Sequence, residues 1–272
     1  LITFPGSKIN LGLYITAKRA DGYHDIQTVF YPTAFTDVLE IVPAREDSLE
    51  TTGIPIAGNI EDNLCMKALR LMQATYGIGR VAMYLHKIVP MGAGLGGGSA
   101  DAAALLLMLN RHFELKLGRN ELLPLAARLG SDCAFFVDPK PAFAHGKGNE
   151  LKPIDLHLSG WYLVLVCPAI GSSTAEAYRG IVPLPANLDL QDLPNLPVEA
   201  WKNHLHNHFE RGIIEQIPQV GEIKNTLYSL GATYAAMSGS GSAVYGLFKE
   251  MPNLSAAIPA FEGCLLHQEW LP

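Results

Sequence analysis

Five glycines fall within seven residues in the run Pro90-Met91-Gly92-Ala93-Gly94-Leu95-Gly96-Gly97-Gly98-Ser99-Ala100-Asp101. Glycine accepts positive φ and lets a backbone approach a neighbour or ligand closely. The apolar stretch Val81–Leu85 ahead of the run reads as a strand. Behind it, the apolar residues from about Ser99 to Phe113 read as a helix. A glycine-rich backbone feeding a helix start gathers unpaired N–H groups and the positive end of the helix dipole at one point, which suits a phosphate. A plain turn between strand and helix is the alternative, and it does not call for so many glycines.

The pattern Gly92-x-Gly94-x-x-Gly97 matches the dinucleotide fingerprint, which is weak by itself. Pro90 intrudes between strand and first glycine, and roughly ninety residues of mixed structure come first, both against a Rossmann unit. The GxxxxGK[ST] form is absent, because no lysine follows the last glycine. Positive charge for a phosphate must therefore come from elsewhere, with Lys8 and Lys87 as candidates. The formal net charge of the 272 residues is −6. No basic cluster recommends nucleic acid as a partner, so a phosphate site here is local.

Elsewhere, Ile9, Leu11, Leu13 and Ile15 alternate as in a strand, Asp21-Gly22 marks a turn, and Thr28–Tyr31 and Asp37–Val42 read as further strands. Asn63–Tyr76 reads as a helix stopped by Gly77, and Glu121–Leu129 as another stopped by Gly130. Past Leu151, Trp161–Val166 reads as a strand, 183–198 as a loop or lid, and Ile213–Leu230 as helical with a break at Pro218. Ala232–Met237 and Ala243–Phe248 read as strands around Ser238-Gly239-Ser240-Gly241-Ser242. Without regular βαβ alternation, the expectation is α+β with two domains, 1–150 carrying the glycine-rich loop and 151–272 a second α+β domain.

Cys65, Cys133, Cys167 and Cys264 are scattered, so neither a disulfide framework nor a zinc site is expected. Leu1–Asn10 has no basic segment followed by an apolar one, and no apolar run approaches the ~18 residues of a membrane span. The expectation is a cytoplasmic protein that meets no membrane. His204, His206 and His208 look like a metal cluster, since on a helix His204 and His208 would share a face. No acid or water-activating group completes such a site.

With these residues on view, the loop resembles the ATP-binding motif of the GHMP kinases. Ser7-Lys8-Ile9-Asn10-Leu11-Gly12-Leu13 and Arg19-Ala20-Asp21-Gly22-Tyr23-His24 resemble one branch of that group, whose members phosphorylate a hydroxyl of a CDP-linked polyol in isoprenoid precursor synthesis. Asn63-Leu64 with Lys67-Ala68, Gly130–Phe136, Ala144–Gly148 and Met237–Ser242 follow in the order of that branch. Two positions depart from it. Ala100 stands where a second serine is common, and His208 where an aspartate is usual.

The resemblance implies the two-domain GHMP kinase fold with the active site in the cleft between domains, and it implies ATP, Mg²⁺ and a small-molecule acceptor. Asp132, which alone reads as a helix-ending residue, becomes the catalytic base. Lys8, which alone reads as a solvated strand residue, becomes the charge beside it that holds Asp132 ionised and stabilises the transition state. Asn10, on the same strand face by the period of two, positions the acceptor or a phosphate oxygen. Tyr23 stacks on cytosine, His24 reads its edge, and Tyr178 forms the second face. Lys147 and Gly239 contact the substrate, Gly239 at its diphosphate. Pro90 to Ala100 hold the ATP phosphates, Asn63 and Lys87 lie near the adenosine, and Ser99 offers its hydroxyl to Mg²⁺ or to a phosphate oxygen. A homoserine- or mevalonate-type kinase is the first alternative, disfavoured by Asp21–His24. A non-catalytic nucleotide sensor is the second, disfavoured by the retention of Lys8 and Asp132. A dinucleotide oxidoreductase is the third.

Overall fold

The computed structural model describes residues 1–172, 174–179 and 181–272, without the side chains of Ala175, Ala256 and Ile258. In chain order its elements are β1 (Ile2–Thr3), β2 (Ser7–Lys18), β3 (His24–Thr33), β4 (Val38–Pro43), β5 (Ser48–Gly53), α1 (Leu64–Tyr76), β6 (Val81–Lys87), α2 (Gly97–His112) and α3 (Arg119–Leu129). There follow β7 (Ala142–His145), β8 (Glu150–Pro153), β9 (Tyr162–Cys167), α4 (Thr174–Ala177), α5 (Val198–His204), α6 (Glu210–Gln216), α7 (Pro218–Ser229), β10 (Tyr234–Met237), β11 (Val244–Phe248) and β12 (Leu265–Trp270).

Two compact units share these elements. The first comprises Leu1–Lys8, Pro32–Met91 and Gly96–Pro139; the second comprises Ile9–Tyr31, Gly92–Leu95 and Lys140–Pro272. Compactness thus divides the chain elsewhere than at residue 150. One reason is that the early β2–β3 hairpin bonds to chain past residue 150: Leu13 bridges Asn207, and Asn10 N–H donates to Ser238 Oγ.

In the first unit the sheet order is β1-β4-β6-β5. β5 runs parallel to β6, and α1 supplies the crossover that a parallel pair needs. Asn63 caps α1 by accepting from the Cys65 amide, and Gly77 ends it in the left-handed conformation. Leu69 and Met72 of α1 pack with Leu105, Leu106 and Leu109 of α2 over Leu39, Ile41 and Met83 of the sheet. α2 is apolar nearly all round because it is buried on several sides.

In the second unit one sheet runs β2-β3-β7-β8 and another β10-β11-β9-β12. Leu13 and Ile15 join Val164, Val166, Val220, Ile223 and Leu227 in its core. The segment 183–198, expected as a loop or lid, is in part core. It contains a 3₁₀ turn, Leu190–Asn195, whose Leu190 and Leu193 are fully buried. The i, i+3 spacing of two leucines outweighs the proline-rich composition there. Among the described residues no helix is long and apolar enough to cross a membrane.

Candidate active site

The glycine-rich run forms the connection between β6 and α2. Gly92, Gly94 and Gly96 all have positive φ (66°, 78° and 72°), and they alternate with the buried Ala93 and Leu95. Left-handed residues at every second position suit a backbone concavity that binds anions. Two of the glycines leave little or no room for a side chain. A Cβ on Gly94 would run into the Ser238 carbonyl, and one on Gly96 would lie 3.0 Å from the Phe136 ring and 3.3 Å from Lys8 Cε. Gly96 is the N-cap of α2 and provides no side-chain cap. The amides of the first turn, at Gly97 and Gly98, are thus left to a ligand rather than to a serine or aspartate. Pro90 is half-buried and Met91 is exposed at the loop's start, while Ala100 is buried with its N–H donating to Gly96 O.

Lys8 and Asp132 come together within the first unit, with Lys8 Nζ 3.5 Å from Asp132 Oδ2. The lysine side chain is 4% exposed and the aspartate 30%. Burial lowers the Lys8 pKa, and the Asp132 carboxylate opposes that effect. Asp132 reaches its place through the tight turn after α3, where Cys133 N–H donates to Gly130 O and Phe135 N–H to Asp132 O. The pair sets a sealed cation against a carboxylate that keeps an accessible side. A group so placed can take a proton from an incoming hydroxyl while the lysine balances the charge.

In the second unit, Asn10 and the serine-glycine turn after β10 form one network. Ser238 Oγ donates to Gly94 O at 2.9 Å and accepts from Asn10 N–H at 3.1 Å. Asn10 Nδ2 donates to Thr28 Oγ1, and Tyr245 O–H donates to Asn10 O. Asn207 Nδ2 donates to Met237 O and Gly239 O, fixing the start of the turn. Gly239 therefore faces Gly94 and Asn10, and a Cβ on it would meet Gly94 O at 3.0 Å. Two further backbone bonds tie the loop down: Ser172 N–H donates to Gly92 O and Ala243 N–H to Ala93 O.

The aromatic group also lies in this unit. Tyr23 is 60% exposed, and Lys147 Nζ sits 4.1 Å from its ring centroid, a cation–π contact. Lys147 also pairs with Asp21 at 2.9 Å. That hydrogen bond is the main reason the Asp21 carboxyl falls to about 2. His24 stacks on Tyr178 with 4.8 Å between centroids, and Tyr178 meets Phe209 edge-on.

Three expected residues take different surroundings. Lys87 is fully buried, its ammonium bonded to Asp37 and, at 2.9 Å, to Asp101. Its ammonium is thus engaged by two carboxylates within the fold. Asn63 spends its Oδ1 on capping α1. Ser99 is not the cap of α2, and its hydroxyl meets the Cys133 thiol, itself pushed up to about 11 by burial. The histidine cluster does not share a helix face, because α5 ends at His204. His208 Nδ1 instead accepts the Ile15 N–H, and burial lowers its pKa. Among the described residues no group of three or more His, Cys, Asp and Glu could hold a metal ion. Cys65, Cys133, Cys167 and Cys264 are free thiols.

Sequence reasoning missed Asp37, Asp101, Ser238 and Asn207. Asp37 is fully buried and accepts the N–H groups of Ile88 and Val89 at 2.6 and 2.8 Å. An aspartate at the head of an apolar strand is the one local signal that could have drawn attention to it.

The chain is similar to known proteins over nearly its whole length. The N-terminal domain of the GHMP kinases matches residues 63–139 and their C-terminal domain residues 189–262. A 4-diphosphocytidyl-2-C-methyl-D-erythritol kinase of Bacteroides fragilis is 49% identical over 91% of this chain and 92% of its own. One from Parabacteroides distasonis is 45% identical over 98% of both chains. A crystal structure of 4-(cytidine 5'-diphospho)-2C-methyl-D-erythritol kinase superposes with a TM-score of 0.82 at 30% identity, covering 98% of each chain.

Proposed function

The chain belongs to the GHMP kinases, and from that premise we infer that it transfers the γ-phosphoryl group of ATP to a hydroxyl of 4-diphosphocytidyl-2-C-methyl-D-erythritol, giving the 2-phosphate in non-mevalonate isoprenoid precursor synthesis. One observation carries the reading. Within a single unit, the uncapped start of α2 lies against Lys8, and Lys8 lies against Asp132. Groups suited to a donor phosphate and to an acceptor proton are thereby neighbours.

ATP is the phosphoryl donor, and Ser99, at the start of α2 beside Cys133, would hold a bound Mg²⁺ that would screen the phosphate charge. The remaining work falls to the chain. Backbone amides at Gly97 and Gly98 bind phosphate, and no side chain of the N-cap competes for them. Asp132 accepts the hydroxyl proton on its accessible side as the oxygen attacks. Lys8, held within 4% exposure, lends its charge to the developing negative oxygens. Asn10 and Gly239 position the acceptor and its diphosphate. Tyr23, His24 and Tyr178 bind the cytosine, with Lys147 steering Tyr23 through its ring contact.

The reading is tested by coupled ADP release with the cytidine substrate, run against homoserine and mevalonate. Turnover is expected with the cytidine compound alone. Turnover with either control and none with the cytidine compound would overturn the assignment.

A further inference from the structure

The phosphate loop leaves β6 and enters α2, and both of its stems converge on one buried ammonium. On the β6 side, Asp37 Oδ1 accepts the amides of Ile88 and Val89, the two residues that follow Lys87. Its other oxygen bonds Lys87 Nζ. On the α2 side, Lys87 Nζ donates to Asp101 Oδ2 at 2.9 Å. The first turn of α2 also rests on this lysine, since a Cβ on Gly97 would lie 3.0 Å from Nζ and 2.9 Å from Val89 Cγ1. Asp37, Lys87 and Asp101 are each 2% exposed or less.

Placing three ionisable groups out of water is costly, and an apolar trio of the same volume often stabilises a fold as well or better. What an apolar trio cannot do is fix geometry by directed bonds to two amides and two elements at once. Ile88 and Val89 have left the strand ladder, so their N–H groups need an acceptor. Asp37 supplies it and, through Lys87, joins that acceptor to the helix whose amides face the phosphate. We propose that Asp37, Lys87 and Asp101 form a clamp on both stems of the glycine-rich loop, and that Asp37 is a positioning residue for the nucleotide phosphates. The proposal rests on the kinase reading above, because it takes the loop as the ATP site. In this proposal the three side chains act through the backbone of residues 88–97.

The series Asp37→Asn, Asp37→Ala and Asp101→Asn tests this. Asp37→Asn keeps an oxygen for the two amides but turns a nitrogen toward Lys87, breaking the link to α2. Asp37→Ala loses both links. Asp101→Asn keeps a neutral oxygen for Lys87 and so keeps the clamp. The readouts are calorimetric affinity for a non-hydrolysable ATP analogue, and for cytidine 5'-diphosphate as the acceptor-site control, on proteins shown to be folded by circular dichroism. Both Asp37 variants are expected to lose about tenfold in affinity for the ATP analogue through loss of preorganisation, and less than about twofold for the cytidine compound. Asp101→Asn stays within about threefold for both. Equal losses for the two ligands would assign the triad to general stability and overturn the proposal. So would Asp37 variants that bind the ATP analogue like wild type. Should Asp37→Ala fail to fold, Asp37→Asn carries the comparison alone. Absence of ATP-analogue binding by the wild-type chain would overturn the kinase reading itself, a result separate from any difference among the variants.

Discussion

Lysine meets aspartate at Lys8–Asp132 and again at Lys87 with Asp37 and Asp101, and the two meetings differ in what water reaches. Both lysines are buried. At the first, the carboxylate is 30% exposed and the N···O separation is a loose 3.5 Å. At the second, no partner is more than 2% exposed, and two carboxylates bond Lys87. Their charge states differ accordingly. Burial lowers the Lys8 pKa more than Asp132 raises it. Burial also lowers that of Lys87, but Asp101 and Asp37 together outweigh it, and the pKa is raised. Burial pushes Asp101 up to about 7, against the pull of Lys87 and with the Asp37 charge adding to it. Proximity of opposite charges is therefore no guide to role. An open carboxylate with a sealed cation can exchange a proton with a substrate, whereas a sealed cluster can only hold structure.

The largest effect should come from breaking the open pair. Asp132→Asn keeps the shape and still offers Lys8 an oxygen, but it cannot take a proton at neutral pH. Single-turnover kcat is expected to fall by about 10²–10⁴. A loose transition state with late deprotonation places the value toward the lower end. Unfolding stability should change by only about 1 kcal/mol, because the carboxylate is partly in water. A variant within about threefold of wild type in rate would remove Asp132 as the base.

Breaking the sealed cluster should reverse the pattern, with stability changing first. Lys87→Met fits an unbranched chain into the same space but leaves Asp37 and Asp101 facing each other without a counter-charge. Removing one partner from a buried ionic group costs about 3–5 kcal/mol. Urea unfolding at neutral pH measures this directly. A loss of less than about 1 kcal/mol would show that the cluster is not sealed in solution.

These contrasts also mark what the sequence disclosed. α1 was readable because Asn63 and Gly77 bracket its apolar positions, and β2 because Ile9, Leu11, Leu13 and Ile15 alternate. The loop was readable from its glycines. β5 was not, since only Leu49 of its six residues is buried and an edge strand need not alternate. β8 and β12 are edges too, and β7 is only four residues long. At the site, Lys8 and Asp132 became legible through a family resemblance, their partnership being separated by more than a hundred positions. Lys87 was legible as a cation but not as a sealed one. Its two partners lie 50 and 14 residues away, and the position of Asp37 at the head of an apolar strand hints at burial without naming Lys87 as its partner. Ser238 and Asn207 escaped for the same reason, since their bonds run to Gly94, Asn10 and Gly239 across long stretches of chain.

A third lysine–aspartate pair, Lys147–Asp21, extends the comparison to the fully open limit and should give the smallest effect. The two side chains are 34% and 40% exposed. The Asp21 carboxyl is held at about 2, first by the hydrogen bond from Lys147, with help from the Tyr23 N–H and Arg19. A carboxyl whose folded pKa lies below its unfolded value of 3.8 adds stability at pH above that value. That stability disappears as pH falls through the folded pKa, once both states are protonated. Solvent screens an exposed pair, so the contribution is small in spite of the large shift. In Lys147→Met, carbon-detected NMR should find the Asp21 carboxyl moved up toward 3.8 but not fully there, because Tyr23 N–H and Arg19 still donate to it. Its unfolding midpoint should trail wild type slightly at neutral pH, and the gap should close as pH drops to about 2. Salt at about 1 M should narrow the gap at neutral pH as well, where it would leave the Lys87 cluster untouched. An Asp21 that still titrates near 2 would transfer the shift to the Tyr23 amide and Arg19. A gap that persists unchanged in acid would mean that Lys147 stabilises the fold through the Tyr23 ring and not through the carboxylate.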